Sequence, residues 1–238
     1  MRIRDVRLFA SELSPLSDFY SRVLGLPMVG QGEPGSGGEE TCLQVGSTRL
    51  TFYQRLAEET APYHFAFNIT PRKFAEAKAW LSARVSLLGE GDGDEYRFAS
   101  WNSDAVYFRD PVGNIAELIA RYDLPDDAPG PFGPTDFLGV SEVGLVVPNV
   151  PAFVAEVHNR LGLAAYRPGS DQFAPVGDEH GLLIVVREGR PWFLTDVPAR
   201  PQPVAMVVEA PIVGRYEVPE LGYAIMSVGS TPNSGRER

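Results

Sequence analysis

Residues 106–121 read VYFRDPVGNIAELIAR. Two stretches rich in β-formers flank Asp110-Pro111-Val112-Gly113, whose proline and glycine mark a turn, so the segment is two strands joined tightly. Working backward, EYRFAS (95–100) is another strand, PRKFAEAKAWLSAR (71–84) a helix opened by Pro71, and HFAFNIT (64–70) a strand. One strand, one helix and three strands thus fill 64–121. The same order stands earlier in the chain. IRDVRLFA (3–10) alternates, LSPLSDFYSRVLGL (13–26) is an amphipathic helix from near Ser14-Pro15 to Gly25, and TCLQVG with TRLTFYQR form a hairpin over Gly46-Ser47.

Working forward, Tyr122 to Pro134 holds four prolines and three aspartates in thirteen residues and reads as a linker. The unit then restarts: VSEVGLVV (140–147) is a strand, VPAFVAEVHNRLGL (150–163) a helix, and DQFAPVG with GLLIVVRE a hairpin. Gly25 plus 137 is Gly162, and RVLGL at 22–26 lies over NRLGL at 159–163. A fourth copy, VAMVVEA, GRYEVPE and GYAIMSVG, has no helix-length segment. The expected organisation is one complete barrel over 1–122, a linker over 123–137, a second and degenerate barrel over 138–228, and a disordered tail over 229–238.

The chain of 238 residues is 44% hydrophobic and 22% charged, ordinary for a globular protein. Its net charge of −10 argues against a nucleic-acid surface, which needs clustered positive charge. No apolar run approaches the ~20 residues of a membrane span, and the charged N-terminus lacks a signal peptide's apolar stretch, so a cytoplasmic protein with a small-molecule partner is expected. Nothing in the sequence separates monomer from homodimer. The single Cys42 excludes an intrachain disulfide framework.

FYSRVLGL after an alternating first strand, HFAFNI opening the second unit and VYFRDPVGNIAELIAR closing it resemble the vicinal oxygen chelate superfamily, which includes glyoxalase I, bleomycin- and fosfomycin-resistance proteins and extradiol dioxygenases. The resemblance is good over 1–122, moderate over 138–195 and weak beyond. It implies an α+β fold of tandem βαβββ units forming two half-open barrels, the second degenerate, and in catalytic members a divalent metal.

Strand alternation gives candidate positions without the resemblance. Asp5 and Arg7 share a face of the first strand, His64, Ala66 and Asn68 a face of the strand opening the second unit, and Glu117, Ile119 and Arg121 a face of the last. If helices cover the apolar faces, Asp5, His64, Glu117, Arg7 and Arg121 converge. The resemblance places metal ligands at Asp5, His64 and Glu117, with Glu117 also catalytic as a base, although its first ligand is usually His, Gln or Glu rather than Asp. One imidazole and two carboxylates suit Mn²⁺, Fe²⁺, Ni²⁺ or Zn²⁺. An extradiol dioxygenase would require two His and a Glu. Arg7, Arg121, Tyr107, Tyr53 and Asn68 are expected to line the substrate site, and Trp101 to pack in the core. Adding 137 carries Asp5 to Glu142, but the second half offers no further acid on its facing strands and reads as a scaffold, an interface or an apolar pocket. GQGEPGSGGEE (30–40) lacks P-loop spacing and reads as a flap or plain loop. The expected activity is that of a metal-dependent lyase or isomerase. The alternative is a metal-free protein that sequesters an anionic ligand through Arg7 and Arg121.

Overall fold

The computed structural model describes residues 1–31, 39–54, 60–91, 93–125 and 129–229. Most of the 30–40 loop and nearly all of the expected tail lie outside the described residues. The first unit comprises β1 (Arg2–Ala10), α1 (Ser14–Asp18), β2 (Met28–Gln31), β3 (Glu40–Val45) and β4 (Thr48–Gln54). The second comprises β5 (His64–Ile69), α2 (Phe74–Ser82), β6 (Leu87–Leu88), β7 (Tyr96–Phe98), β8 (Ser103–Arg109) and β9 (Ile115–Arg121). The third has β10 (Phe137–Val147), α3 (Val150–Leu161), β11 (Phe173–Asp178) and β12 (Gly181–Arg187). The fourth has β13 (Val204–Glu209), β14 (Gly214–Val218) and β15 (Tyr223–Val228), with no α-helix.

Local chemistry sets these elements. In α3 the Asn149 side chain accepts from the Ala152 N–H at 3.0 Å, Gly162 ends the helix at φ +71°, and Val150, Phe153, Val157 and Leu161 fall on the buried stripe. The turn after β8 is tied by Asp110, which accepts from the Val112 and Asn114 N–H groups, the Asn114 amide and the Tyr20 hydroxyl. Asn114 in turn accepts from the Tyr63 N–H at 2.9 Å. This knot fixes β5 beside β9 with His64 opposite Ile115. Each unit's first and last strands are parallel neighbours, as in β1 with β4 and β5 with β9.

The units do not pair as the sequence order suggests. β1 joins β13 antiparallel, giving one sheet of units one and four in the order β14-β15-β13-β1-β4-β3-β2. β5 joins β10, giving the other sheet from units two and three, β11-β12-β10-β5-β9-β8-β6, with β7 on β8. The expectation of one barrel from 1–122 and another from 138–228 is corrected accordingly. Apolar faces decide the arrangement. Phe52 of one sheet and Phe65 of the other lie 6.3 Å apart, Tyr20 packs on both, and Val6, Leu8, Leu118, Val143 and Leu145 join them in a shared core. Each such side chain, fully buried, contributes ~1.5–3 kcal/mol. The alternate, polar faces of β1 and β5 consequently point away from this core. Among the described residues no helix is long and apolar enough to cross a membrane.

Candidate metal and ligand site

Three adjacent strands of the second sheet build the site. Across the sheet, Glu142 of β10 pairs with Ala66 of β5, and Ala66 with Glu117 of β9. Laterally paired residues share a face, and His64, two positions before Ala66, shares it too. Ala66 between the two glutamates is small enough for both to lean inward. On β8 the row continues to Tyr107, beside Glu117.

His64, Glu117 and Glu142 are all buried, and one donor atom of each lies within 4.8 Å of the others. The His64 Nε2 is 3.7 Å from Glu117 Oε2 and 3.6 Å from Glu142 Oε2. Nδ1 is 3.2 Å from the Ile115 carbonyl oxygen, an acceptor only, so Nδ1 carries the proton. In the neutral ring Nε2 then presents its lone pair to two carboxylate oxygens. Such a cluster of acceptors needs positive charge between them.

The remaining partners hold the carboxylates. Arg121, 1% exposed, donates from Nη2 to Glu142 Oε1 and from Nε to Asn68 Oδ1, the latter at 3.1 Å. Glu142 therefore gives one oxygen to Arg121 and turns the other toward His64. The Asn68 amide donates to the Glu179 carbonyl at 2.9 Å. Tyr107 stands opposite Glu117 on the neighbouring strand, and its hydroxyl favours the ionised carboxylate. Burial, and then the charge of Glu142, push the Glu117 carboxyl well above the usual carboxylate range, against the opposing pull of Arg121 and Tyr107. The Tyr107 hydroxyl is likewise pushed up, first by burial and then by Glu117 and Glu142.

A cavity of about 270 Å³ opens over this cluster, walled by Phe98, Trp101, Tyr107, Ile184, Phe173, Trp192, Phe193 and Arg190. Its roof is the segment after β12. There Gly189 N–H donates to the Ala199 carbonyl at 2.8 Å and Trp192 N–H to the Val197 carbonyl at 3.0 Å, a folded turn in which Leu194 sits at φ +60°. Trp192 lies 5.6 Å from the His64 ring. Gly144 makes room for it, since a Cβ there would stand 2.6 Å from the indole Cη2.

Of the residues the sequence singled out, the structure brings His64, Glu117 and Tyr107 to this cavity. Arg121 and Asn68 stand beside it, paired as above, and Trp101 lines its wall rather than the core proper. Asp5, Arg7 and Tyr53 are elsewhere, and their expected convergence is corrected. They lie on the outward face of the other sheet, where Asp5 pairs with Arg49, Arg7 with Glu40 at 2.7 Å, and the Arg7 guanidinium covers the Tyr53 ring at 5.8 Å. Glu142 takes the place expected of Asp5, so the third unit is not mere scaffold. The 137-residue offset already mapped Asp5 onto Glu142; what was missing was that units two and three share a sheet. The roof segment carried no motif to find it by.

The donor set passes a chemical test for a divalent ion. Donors ~2.0–2.2 Å from one ion lie about 3.0–3.5 Å apart, a few tenths less than the His64–glutamate separations here. The two carboxylates carry one more negative charge than Arg121 balances. By the pairing that sets Glu117 two residues beyond the partner of His64, Ile184 stands two beyond Leu182, the partner of Glu142. The equivalent fourth position is thus apolar, which leaves three protein donors and an open side facing the cavity.

No protein-family model and no curated protein sequence matches the chain. Among solved structures, its fold is similar to that of a Bacillus subtilis subsp. subtilis str. 168 protein described as a "putative dioxygenase", with a TM-score of 0.63 and 14% identity over 95% of this chain and 85% of that one. It is also similar to glyoxalase I from Zea mays, with a TM-score of 0.58 and 14% identity over 96% and 92%. Both likenesses span all four units.

Proposed function

We propose, for a chain with the glyoxalase-like fold of the vicinal oxygen chelate superfamily, its described strands forming two open sheets, a divalent-metal-dependent lyase or isomerase acting on a small metabolite with neighbouring oxygens. The observation that carries this reading is the convergence of His64 Nε2, Glu117 and Glu142 under a cavity. Mn²⁺, Fe²⁺, Ni²⁺ or Zn²⁺ held by these three side chains would supply Lewis-acid polarisation of the substrate oxygens.

The chain's own groups do the rest. Arg121 holds Glu142 by one oxygen, so its other oxygen keeps a fixed direction toward His64. Glu117, at the cavity floor beside Tyr107, is the general base: it takes a proton from the substrate carbon next to an oxygen and returns it to the neighbouring carbon or the leaving group. The aromatic walls exclude water and favour a flat or apolar ligand. The sequestering alternative relied on Arg7 and Arg121 as a pair; Arg7 is on the other sheet and Arg121 is occupied by Glu142 and Asn68.

Metal analysis and Mn²⁺ titration calorimetry of the untagged protein test the reading. About one ion per chain is expected, lost in His64→Ala and in Glu142→Gln. Saturable Mn²⁺, Ni²⁺ and Zn²⁺ binding that survives His64→Ala would refute it.

A further inference from the structure

We propose that Arg190 is the specificity-determining residue of the cavity and that the ligand is a small, flat apolar or aromatic monocarboxylate whose carboxylate meets Arg190 while its remaining oxygens face His64, Glu117 and Glu142. The proposal deepens the metal-dependent reading above and rests on it for the second half of that pose.

Four observations lead to it. Among the described residues Arg190 is the one arginine or lysine lining the cavity, which it shares with His64, Glu117 and Glu142. Its guanidinium makes no ion pair or hydrogen bond among the described residues and only covers the Phe173 ring, 5.4 Å from its centre. A partly buried guanidinium with five donors and no acceptor is a site asking for an anion. Its place is rigid, because its N–H donates to the Arg187 carbonyl and its carbonyl accepts from Ala199 within the folded roof that also carries Trp192 and Phe193. Burial lowers the guanidinium's pKa from its ordinary value, in keeping with a charge that lacks a partner.

The ligand class follows from the walls and the charge balance. Phe98, Phe173, Trp192 and Phe193 offer ring faces and edges to a planar body. The cavity of about 270 Å³ is below the ~300–1,000 Å³ of drug-sized sites, so the body is small. Two glutamates already occupy the cavity floor with one arginine between them, so a singly charged carboxylate costs less to bring in than a phosphate dianion. A guanidinium also matches a carboxylate with two parallel hydrogen bonds.

Benzoate, benzamide and phenylphosphonate are the probes, titrated by quenching of the tryptophan fluorescence of the cavity-lining Trp101 and Trp192, alongside Mn²⁺ calorimetry. In the wild-type protein benzoate should bind at least about tenfold more tightly than its neutral isostere benzamide and more tightly than phenylphosphonate. Arg190→Gln should bring benzoate down to the benzamide level, Arg190→Lys should retain part of the preference, and both should leave Mn²⁺ affinity unchanged. The Arg190 dependence should persist in His64→Ala. Loss of the benzoate preference in His64→Ala with retention in Arg190→Gln would place the carboxylate at the metal and overturn the proposal, as would no saturable benzoate binding in the millimolar range or a preference for phenylphosphonate. The two readings fail separately. Absent Mn²⁺ binding with an intact Arg190 preference sinks the metal reading alone, and normal Mn²⁺ binding without that preference sinks this one alone.

Discussion

Glu142→Gln and Glu117→Gln make the same atomic exchange at two positions of one cross-strand row, yet they should move stability in opposite directions. Arg121 is 1% exposed, its Nη1 has no acceptor, and its ion pair is with Glu142. Substitution at 142 leaves a buried guanidinium without its counter-charge, and breaking such a pair from one side costs ~3–5 kcal/mol. The amide oxygen can still accept from Nη2 and Glu117 remains nearby, which brings the expected cost to about 2–3 kcal/mol. At ~2–4 °C per kcal/mol for a chain of this size, the melting temperature falls by about 4–12 °C. Glu117 is in the converse position, desolvated and beside a like charge, so its neutral amide leaves the metal-free melting temperature unchanged or higher. The sign has a pH signature. The Glu117 carboxyl holds its proton more tightly in the folded chain than in the unfolded one, so the native state carries more protons as pH rises from the ordinary carboxylate range toward the raised value. Stability falls over that window, and the advantage of Glu117→Gln widens with it. Scanning calorimetry of both variants in EDTA between pH 5 and pH 8, followed by Mn²⁺ addition, measures all of this. Equal melting temperatures, or a larger loss in Glu117→Gln, would refute the assignment of Arg121 to Glu142 and of the uncompensated charge to Glu117.

Asp5→Asn, on the other sheet and paired with the exposed Arg49, should leave Mn²⁺ affinity unchanged in calorimetry and cost under about 1 kcal/mol in urea unfolding. Gly144→Ala places a methyl 2.6 Å from Trp192 and 3.2 Å from the His64 carbonyl; overpacking of about 1–3 kcal/mol and a shifted tryptophan emission are expected, and an unperturbed spectrum would show the contact to be soft. Asp136 pairs with Lys73 at 2.8 Å and accepts from Thr70 and the Gly133 N–H; burial opposes these bonds but they outweigh it, and the carboxyl sits below its ordinary 3.8. Its stabilisation is complete above that ordinary value and disappears as pH falls through the lowered one, so the stability gap between wild type and Asp136→Asn should close below about pH 4; a gap constant down to pH 3 would contradict this.

Much of this was legible because local signals carried it. The DPVG turn, Pro71, Ser14-Pro15 and the two-residue alternation of His64, Ala66 and Asn68 each act within a few residues, so the elements and the cavity-facing side chains of β5 and β9 could be read directly. Glu142 as a donor could not. Its partnership with His64 depends on β10 lying beside β5, a choice made by the fit of whole apolar faces around Tyr20, Phe52 and Phe65 rather than by any short motif. The same distance hid Asp5's true partner: Arg49 neighbours it across a parallel strand pair, and a basic residue on a strand gives no sign of which acid it will meet. Arg190, Trp192 and Phe193 belong to an irregular segment without periodicity, where only the tertiary structure assigns a direction.

The nested pairing of units also dictates an order of assembly. Every strand of the cavity-bearing sheet lies between residues 64 and 187, whereas the other sheet must join β1 to β13 across nearly the whole chain, Arg2 opposite Glu209. On a ribosome the first sheet can close once the roof segment has emerged, while β1 waits with one edge unpaired until the last unit appears. Contacts of such sequence separation form slowly, and an unsatisfied strand edge invites pairing with other chains. The cavity-bearing sheet is therefore expected to form first, and the N-terminal unit, which among the described residues contributes none to the cavity lining, to be the part most exposed to misassembly during synthesis.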